Sequence, residues 1–203
     1  MRTTFLCALL AGLAAAPLAA PAIDFTPRFS TMTEGGGVLR RLYFDSGEPG
    51  APVLLSPDSD TEVSGGSGEA HFRFSVFEGA SLVLRRSPHE PALPFEGEGL
   101  ATYRTTALSY APSGMQPVGE MTEIENPLAI NGWTGRRFVM RYQIPGSQVS
   151  QSVTFLNLNA KEQIVLVATG YEQNFGEITG RVDALMRSWR VGGERDLQTP
   201  AIN

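Results

Sequence analysis

One stretch restricts the fold more than any other. From Arg137 to Ile144 the side chains alternate, with Phe138, Met140, Tyr142 and Ile144 on one side and Arg137, Val139, Arg141 and Gln143 on the other. A period of two gives two chemically distinct faces only in an extended strand. Pro145-Gly146-Ser147 supplies a turn, so Val149 to Leu158 is the hairpin partner. Asn159-Ala160-Lys161-Glu162 reverses the chain again, and Ile164-Val165-Leu166-Val167-Ala168 is apolar on both faces. Such a run suits a central strand covered on both sides. Strands adjacent in sequence tend to be adjacent in space, which makes an antiparallel meander the economical topology.

A helix follows the meander. Phe175, Ile178, Val182, Leu185 and Trp189 recur at steps of three and four, a stripe that faces the sheet, and Asn174 with Glu177 has the spacing of a reciprocal cap. Gly176 and Gly180 each cost about 1 kcal/mol relative to Ala in a helix, so close packing on the sheet is expected to offset them. Gly192-Gly193 stops the helix. Upstream, Leu100, Tyr103, Ala107 and Tyr110 predict a shorter helix from Glu98 to Ser109. It comes after a segment broken by Pro88, Pro91 and Pro94. Phe72, Phe74 and Val76, alternating with polar residues, and the run around Leu82 and Leu84 read as a hairpin. Val38 to Asp45, Val53 to Leu55 and Val118 to Glu123 read as further strands, and Ser56 to Glu69 as a loop.

The expected fold class is therefore α+β: an antiparallel β-sheet packed by a C-terminal helix and a shorter mid-chain helix. Phe138, Met140, Tyr142 and Ile144 should face the stripe of the last helix or another apolar layer. The expected division is a signal peptide over 1–22, a flexible N-terminal arm over 23–37, a single α+β domain over 38–191 and a disordered tail over 192–203.

The leader is read from Arg2, the apolar stretch Phe5 to Ala16 and the small-residue site Ala20-Pro21-Ala22. The apolar stretch falls short of the roughly 20 residues that span a bilayer as a helix. Cleavage after Ala22 would remove Cys7, the sole cysteine, and leave a chain with no disulfide and no thiolate metal site. Exported domains without disulfides are common in bacterial envelopes, so a bacterial periplasmic or secreted location is expected. The net charge is −5, and loss of Arg2 makes it one unit more negative. An acidic chain whose arginines occur as scattered pairs is poorly suited to nucleic acid or anionic lipid. Neither a nucleic-acid partner nor stable membrane insertion is expected.

The search for chemistry is short. His71 and His89 are the only histidines. His71 lies on the polar face of a strand. His89 stands beside Glu90 and near Glu96 and Glu98, a set that could bind a divalent ion or act as an acid–base pair. Asp58, Asp60, Glu62 and Glu69 occupy the first, third, fifth and twelfth places of a calcium-type loop, but Val63 stands where the turn needs glycine, so a polar turn is the better reading. Gly65-Gly66-Ser67-Gly68-Glu69 lacks the second glycine of a nucleophile elbow. Trp133, in an Asn-Gly turn, and Arg137 are residue types favoured at binding surfaces. The surface candidates are thus His89, Glu90, Glu96, Glu98, Trp133 and Arg137. No catalytic, cofactor-binding or metal residue is assigned, and no cofactor is expected.

Asn131-Gly132-Trp133-Thr134-Gly135 leading into Arg136 to Ile144, the strand Val149 to Leu158, the apolar strand Ile164 to Thr169 and the helix ending Met186-Arg187-Ser188-Trp189 together resemble the PsbP-like superfamily. The exported bacterial relatives in that superfamily include DcrB-type proteins. The resemblance covers Leu100 to Arg190 and implies an antiparallel sheet with helices on its faces and noncatalytic binding of a protein or small ligand. The expected function is an exported, soluble, noncatalytic binding or accessory protein of the bacterial envelope, its partner another envelope protein or a small ligand. The alternatives are a hydrolase-like or metal-dependent enzyme using His89 and its neighbouring carboxylates, and a structural envelope component that self-assembles. The sequence leaves the oligomeric state open.

Overall fold

The computed structural model describes residues 23–34, 37–130, 132–160 and 162–193. Strands β1 (Asp24–Glu34), β2 (Gly37–Asp45) and β3 (Val53–Leu55) come first, followed by β4 (Thr61–Gly66), β5 (Glu69–Phe74) and β6 (Ser81–Arg86). Helix α1 (Gly97–Ser109) precedes β7 (Thr122–Glu125), β8 (Thr134–Ile144), β9 (Ser147–Asn157) and β10 (Gln163–Tyr171). A 3-10 turn over Glu172–Asn174 leads into α2 (Phe175–Arg187), and β11 (Arg190–Val191) is the last element in chain order among the described residues. The large sheet runs β4-β5-β6-β10-β9-β8-β7, and the small one runs β1-β2-β3-β11. Every pairing between these strands is antiparallel. The fold is α+β, with a mid-chain and a C-terminal helix, as the residue pattern predicts.

The two faces of the large sheet carry different covers, and the alternation within each strand decides which side chain meets which. Phe138, Met140 and Tyr142 of β8, Val153 and Phe155 of β9, and Val165 and Val167 of β10 form one core with Tyr103 and Ala107 of α1. Their neighbours on the opposite face, Leu156, Ile164, Leu166 and Ala168, pack with Ile178, Val182, Leu185 and Met186 of α2. The same second core takes in Phe25, Leu42, Phe44 and Leu55 from the small sheet. Each large apolar side chain so buried contributes about 1.5–3 kcal/mol. The β8 stripe therefore faces the mid-chain helix rather than the last one, and Ile144 at its end is only half-buried.

Several local expectations need correction. Of the expected flexible arm, 23–37, the residues Asp24–Glu34 form β1, which pairs with β2 along most of its length, and Ile23 and Phe25 are buried, Phe25 meeting the Phe44 ring edge-on at 5.3 Å. Polar residues mask this strand in the sequence because its pairing with β2 is made by the backbone. Within Ser56 to Glu69, β4 forms against β5, with Thr61 buried opposite Phe74. The strand expected at Val118 to Glu123 is shifted to Thr122–Glu125, and Val76 is exposed in the turn between β5 and β6.

The reciprocal cap on α2 is not made. Asn174 is already helical in backbone and its side chain makes no capping hydrogen bond, since the 3-10 turn before it feeds the helix directly. Gly176 and Gly180 meet nothing that a Cβ would touch, so they are simply weak helix positions. The close approach is at Gly170 in β10, where a Cβ would run into Ile178 Cδ1. Helix α2 ends at Arg187, before the glycine pair, and Trp189 lies beyond it. The expected leader, 1–22, lies outside the described residues. Of the expected tail only Gly192 and Gly193 are described, and Gly192 N donates to Pro52 O at 2.8 Å. Among the described residues no helix is long and apolar enough to cross a membrane.

Candidate functional site

Two loops bring the chain's two tryptophans together. Before β8, Asn126 closes a loop by donating its backbone N–H to Gly135 O at 2.9 Å and accepting from Gly135 N at its Oδ1 at 3.0 Å. Leu128, 3% exposed, anchors that loop to the core, and Trp133 N donates to Ile130 O at 3.1 Å. After α2, the Ser188 hydroxyl donates to Leu185 O at 2.6 Å and accepts from Ser56 N at 2.9 Å. This fixes where the chain leaves the helix for β11. Trp133 and Trp189 meet there with ring centroids 5.9 Å apart and planes at 81°. Both indoles are half-buried against the core beneath α2.

Beside them lies an open groove of about 430 Å³, within the size range of small-molecule sites. Its apolar walls come from the two indoles with Val53, Ile130 and Leu158. Glu48, Glu162 and Asn159 supply polar groups. Glu162 is the fixed one: its N–H donates to Asn159 Oδ1 at 2.9 Å and its carbonyl accepts from Leu158 N at 2.9 Å. Burial pushes its carboxyl above the usual carboxylate range, and Glu48 adds to that, while the Asn159 side chain and Arg86 pull the other way.

The sequence candidates do not form one site. Trp133 lies in the groove. His89, in the Pro-rich segment before α1, is half-buried against that helix, its ring edge-on to Tyr103 at 5.0 Å and its Nε2 2.9 Å from Thr106 Oγ1. The Thr106 hydroxyl donates its single hydrogen to Thr102 O, so the His89 Nε2–H is the donor in that pair. Glu90, Glu96 and Glu98 are exposed and none hydrogen-bonds to His89. Among the described residues no group of three or more His, Cys, Asp or Glu could hold a metal ion.

Arg137, expected at the surface, is 4% exposed. Its odd register in β8 points it under α2, where Nη1 lies 3.4 Å from Asp183 Oδ2, Nη2 bonds Oδ1, and Nε donates to Thr154 Oγ1 at 2.9 Å. The acids of the calcium-like spacing are paired with arginines, Asp58 and Asp60 with Arg181, Glu62 with Arg73 and Glu69 with Arg85, and Glu69 Oε1 also lies 2.9 Å from His71 Nε2. The segment is not the polar turn expected: Glu62 lies in β4 and Glu69 opens β5, so only Asp58 and Asp60 stand in a turn. Trp189 and Glu162 read in the sequence as a helix-stripe residue and a turn residue. The signal that marks them is that the chain has two tryptophans and both converge on one groove.

The environment of His89 makes one pH effect testable. Burial lowers its pKa below the usual value, so the unfolded chain takes up the proton first and stability falls as pH drops below about 6.5. The loss levels off once the folded ring also protonates. Urea midpoints at about pH 7.5 and pH 5.5 should fall further in the parent chain than in His89→Gln. Equal falls in the two proteins would remove His89 from the account.

No family model matches the chain, and no curated protein matches it. Among solved structures, the chain is similar to LpqN, described as involved in cell envelope biogenesis of Mycobacterium tuberculosis. That likeness has 12% identity and a TM-score of 0.44, and it spans 82% of this chain and 91% of that one. At that level it carries no argument about function.

Proposed function

We propose that this chain is an exported, noncatalytic binding or accessory protein of the bacterial envelope that holds its ligand in the Trp133–Trp189 groove. The observation that carries the reading is the convergence of both tryptophans, at right angles, on an apolar-walled groove with a half-buried acid at its side. Sites of this kind combine a mostly apolar lining with a few placed polar groups. Export and the envelope location rest on the leader-like residues 1–22 and on the absence of cysteine after Cys7. The resemblance to PsbP-like proteins, carried by the strands β8 to β10 and helix α2, points to the same kind of role.

Because the chain's only two indoles line the groove, its intrinsic fluorescence reports occupancy directly. A fragment library titrated against the full chain should yield compounds that change the indole emission. Trp133→Ala should weaken those compounds at least tenfold, equivalent to about 1.4 kcal/mol, with the urea transition still cooperative. Compounds that bind both proteins equally would place the site elsewhere.

A further inference from the structure

We propose that the groove takes a small organic cation, a free amine or quaternary ammonium compound, seated in the corner made by Trp133 and Trp189 with its charge toward Glu162 and Glu48. This deepens the groove reading above and rests on it. The two indole planes stand at 81° with centroids 5.9 Å apart, which gives two walls of an aromatic corner. Indole faces are the best aromatic partners for a cation, and such walls recur where quaternary ammonium groups are recognised. The charge of the groove has the complementary sign. Among the described residues that line it, Glu48 and Glu162 stand with one guanidinium, that of Arg190, and a ligand cation would complement the two carboxylates.

The state of Glu162 fits that complementarity. Its carboxyl is raised by burial and by the nearby Glu48, with Arg86 of β6 acting in the opposite sense and Arg190 of β11 lining the same groove. A bound cation favours the ionised carboxylate. Cation affinity should therefore rise with pH through the titration of Glu162 and level off above it, and a neutral ligand of the same shape should show no such rise. The ligand is a free solute rather than a lipid headgroup. The chain is acidic overall, and the described residues lining the groove carry none of the polybasic character that draws proteins to anionic membrane surfaces.

Choline and its uncharged carbon isostere 3,3-dimethylbutan-1-ol form the test pair, titrated against the full chain by indole emission with calorimetry as a check. Choline should bind at least tenfold more tightly than the isostere. Glu162→Gln should abolish most of that preference while leaving the isostere unchanged, and Trp133→Ala should weaken both. Equal binding of the two compounds overturns the cation assignment and leaves the groove as a binding site. Absence of binding by either also overturns the assignment, and the fragment screen then decides the groove independently. A preference that survives in Glu162→Gln overturns the role of that carboxylate. Choline binding detected only as association with phosphatidylcholine vesicles would overturn the free-solute assignment.

Discussion

Asp183→Ala is expected to destabilise the fold by about 3–5 kcal/mol, because it leaves the Arg137 guanidinium buried without its counter-charge. Arg137 is 4% exposed between β8 and α2, and apart from Asp183 its hydrogen bond is to the Thr154 hydroxyl. In a domain of this size a loss of that order lowers the melting temperature by roughly 10 °C. The pair is not thereby shown to be worth that much in place. Replacing both partners by apolar residues of similar volume, as in Arg137→Met with Asp183→Leu, should recover most of the loss, since it removes the unpaired charge as well as the attraction. Urea unfolding of the single and double variants checks both statements. A single variant within 1 kcal/mol of the parent would mean that water reaches Arg137.

Tyr103→Ala is expected to be of comparable severity, about 3–5 kcal/mol. The ring is fully buried, with Phe155 at 4.6 Å, Phe95 at 4.8 Å and His89 at 5.0 Å. Its hydroxyl ties three pieces of the chain together. It donates to Leu93 O at 3.0 Å, and it accepts from Leu93 N at 3.0 Å and from Gln163 Nε2 at 2.7 Å. Tyr103→Phe keeps the ring and strands those partners, so a smaller loss of about 1–3 kcal/mol is expected. Hydrogen exchange should then speed up at Leu93 while β9 stays protected. If Phe and Ala cost the same, the hydroxyl carries the whole effect and the ring contacts are incidental.

How much of this was legible in the sequence follows from how each residue's environment is made. Strand periodicity located β8, β9 and β10 because a sheet buried on both faces demands apolar residues wherever a cover exists. The same rule missed β1, which is held by backbone pairing with β2, an interaction that leaves little trace in residue type, while Ile23 just before it and Phe25 within it enter the core. Alternation also placed Arg137 on the polar face of β8. It could not say that the polar face lies under a helix, because that depends on Asp183, which is remote in sequence. His89 and the nearby acids were adjacent in sequence and separated in space, since the Pro-rich segment lays the imidazole against α1 and leaves the carboxylates outside. Trp133 was singled out by residue type and turn context. Its partner Trp189 was read as part of the α2 stripe, because the stripe pattern continues past the point where the helix ends.

The order of strands in the large sheet has a kinetic side. β4, β5 and β6 are joined by short turns, and so are β8, β9 and β10, yet the two groups meet only where β6 pairs with β10, Arg86 against Ile164. Each hairpin closes a loop of a few residues, whereas the β6–β10 seam closes one that contains α1 and three strands. The entropy of that closure must be spent before the seam returns any hydrogen bonds or burial. The two meanders are therefore expected to form early and independently, and closure of the seam, with the α2 and small-sheet layer that spans it, is the step expected to set the rate of reaching the native state.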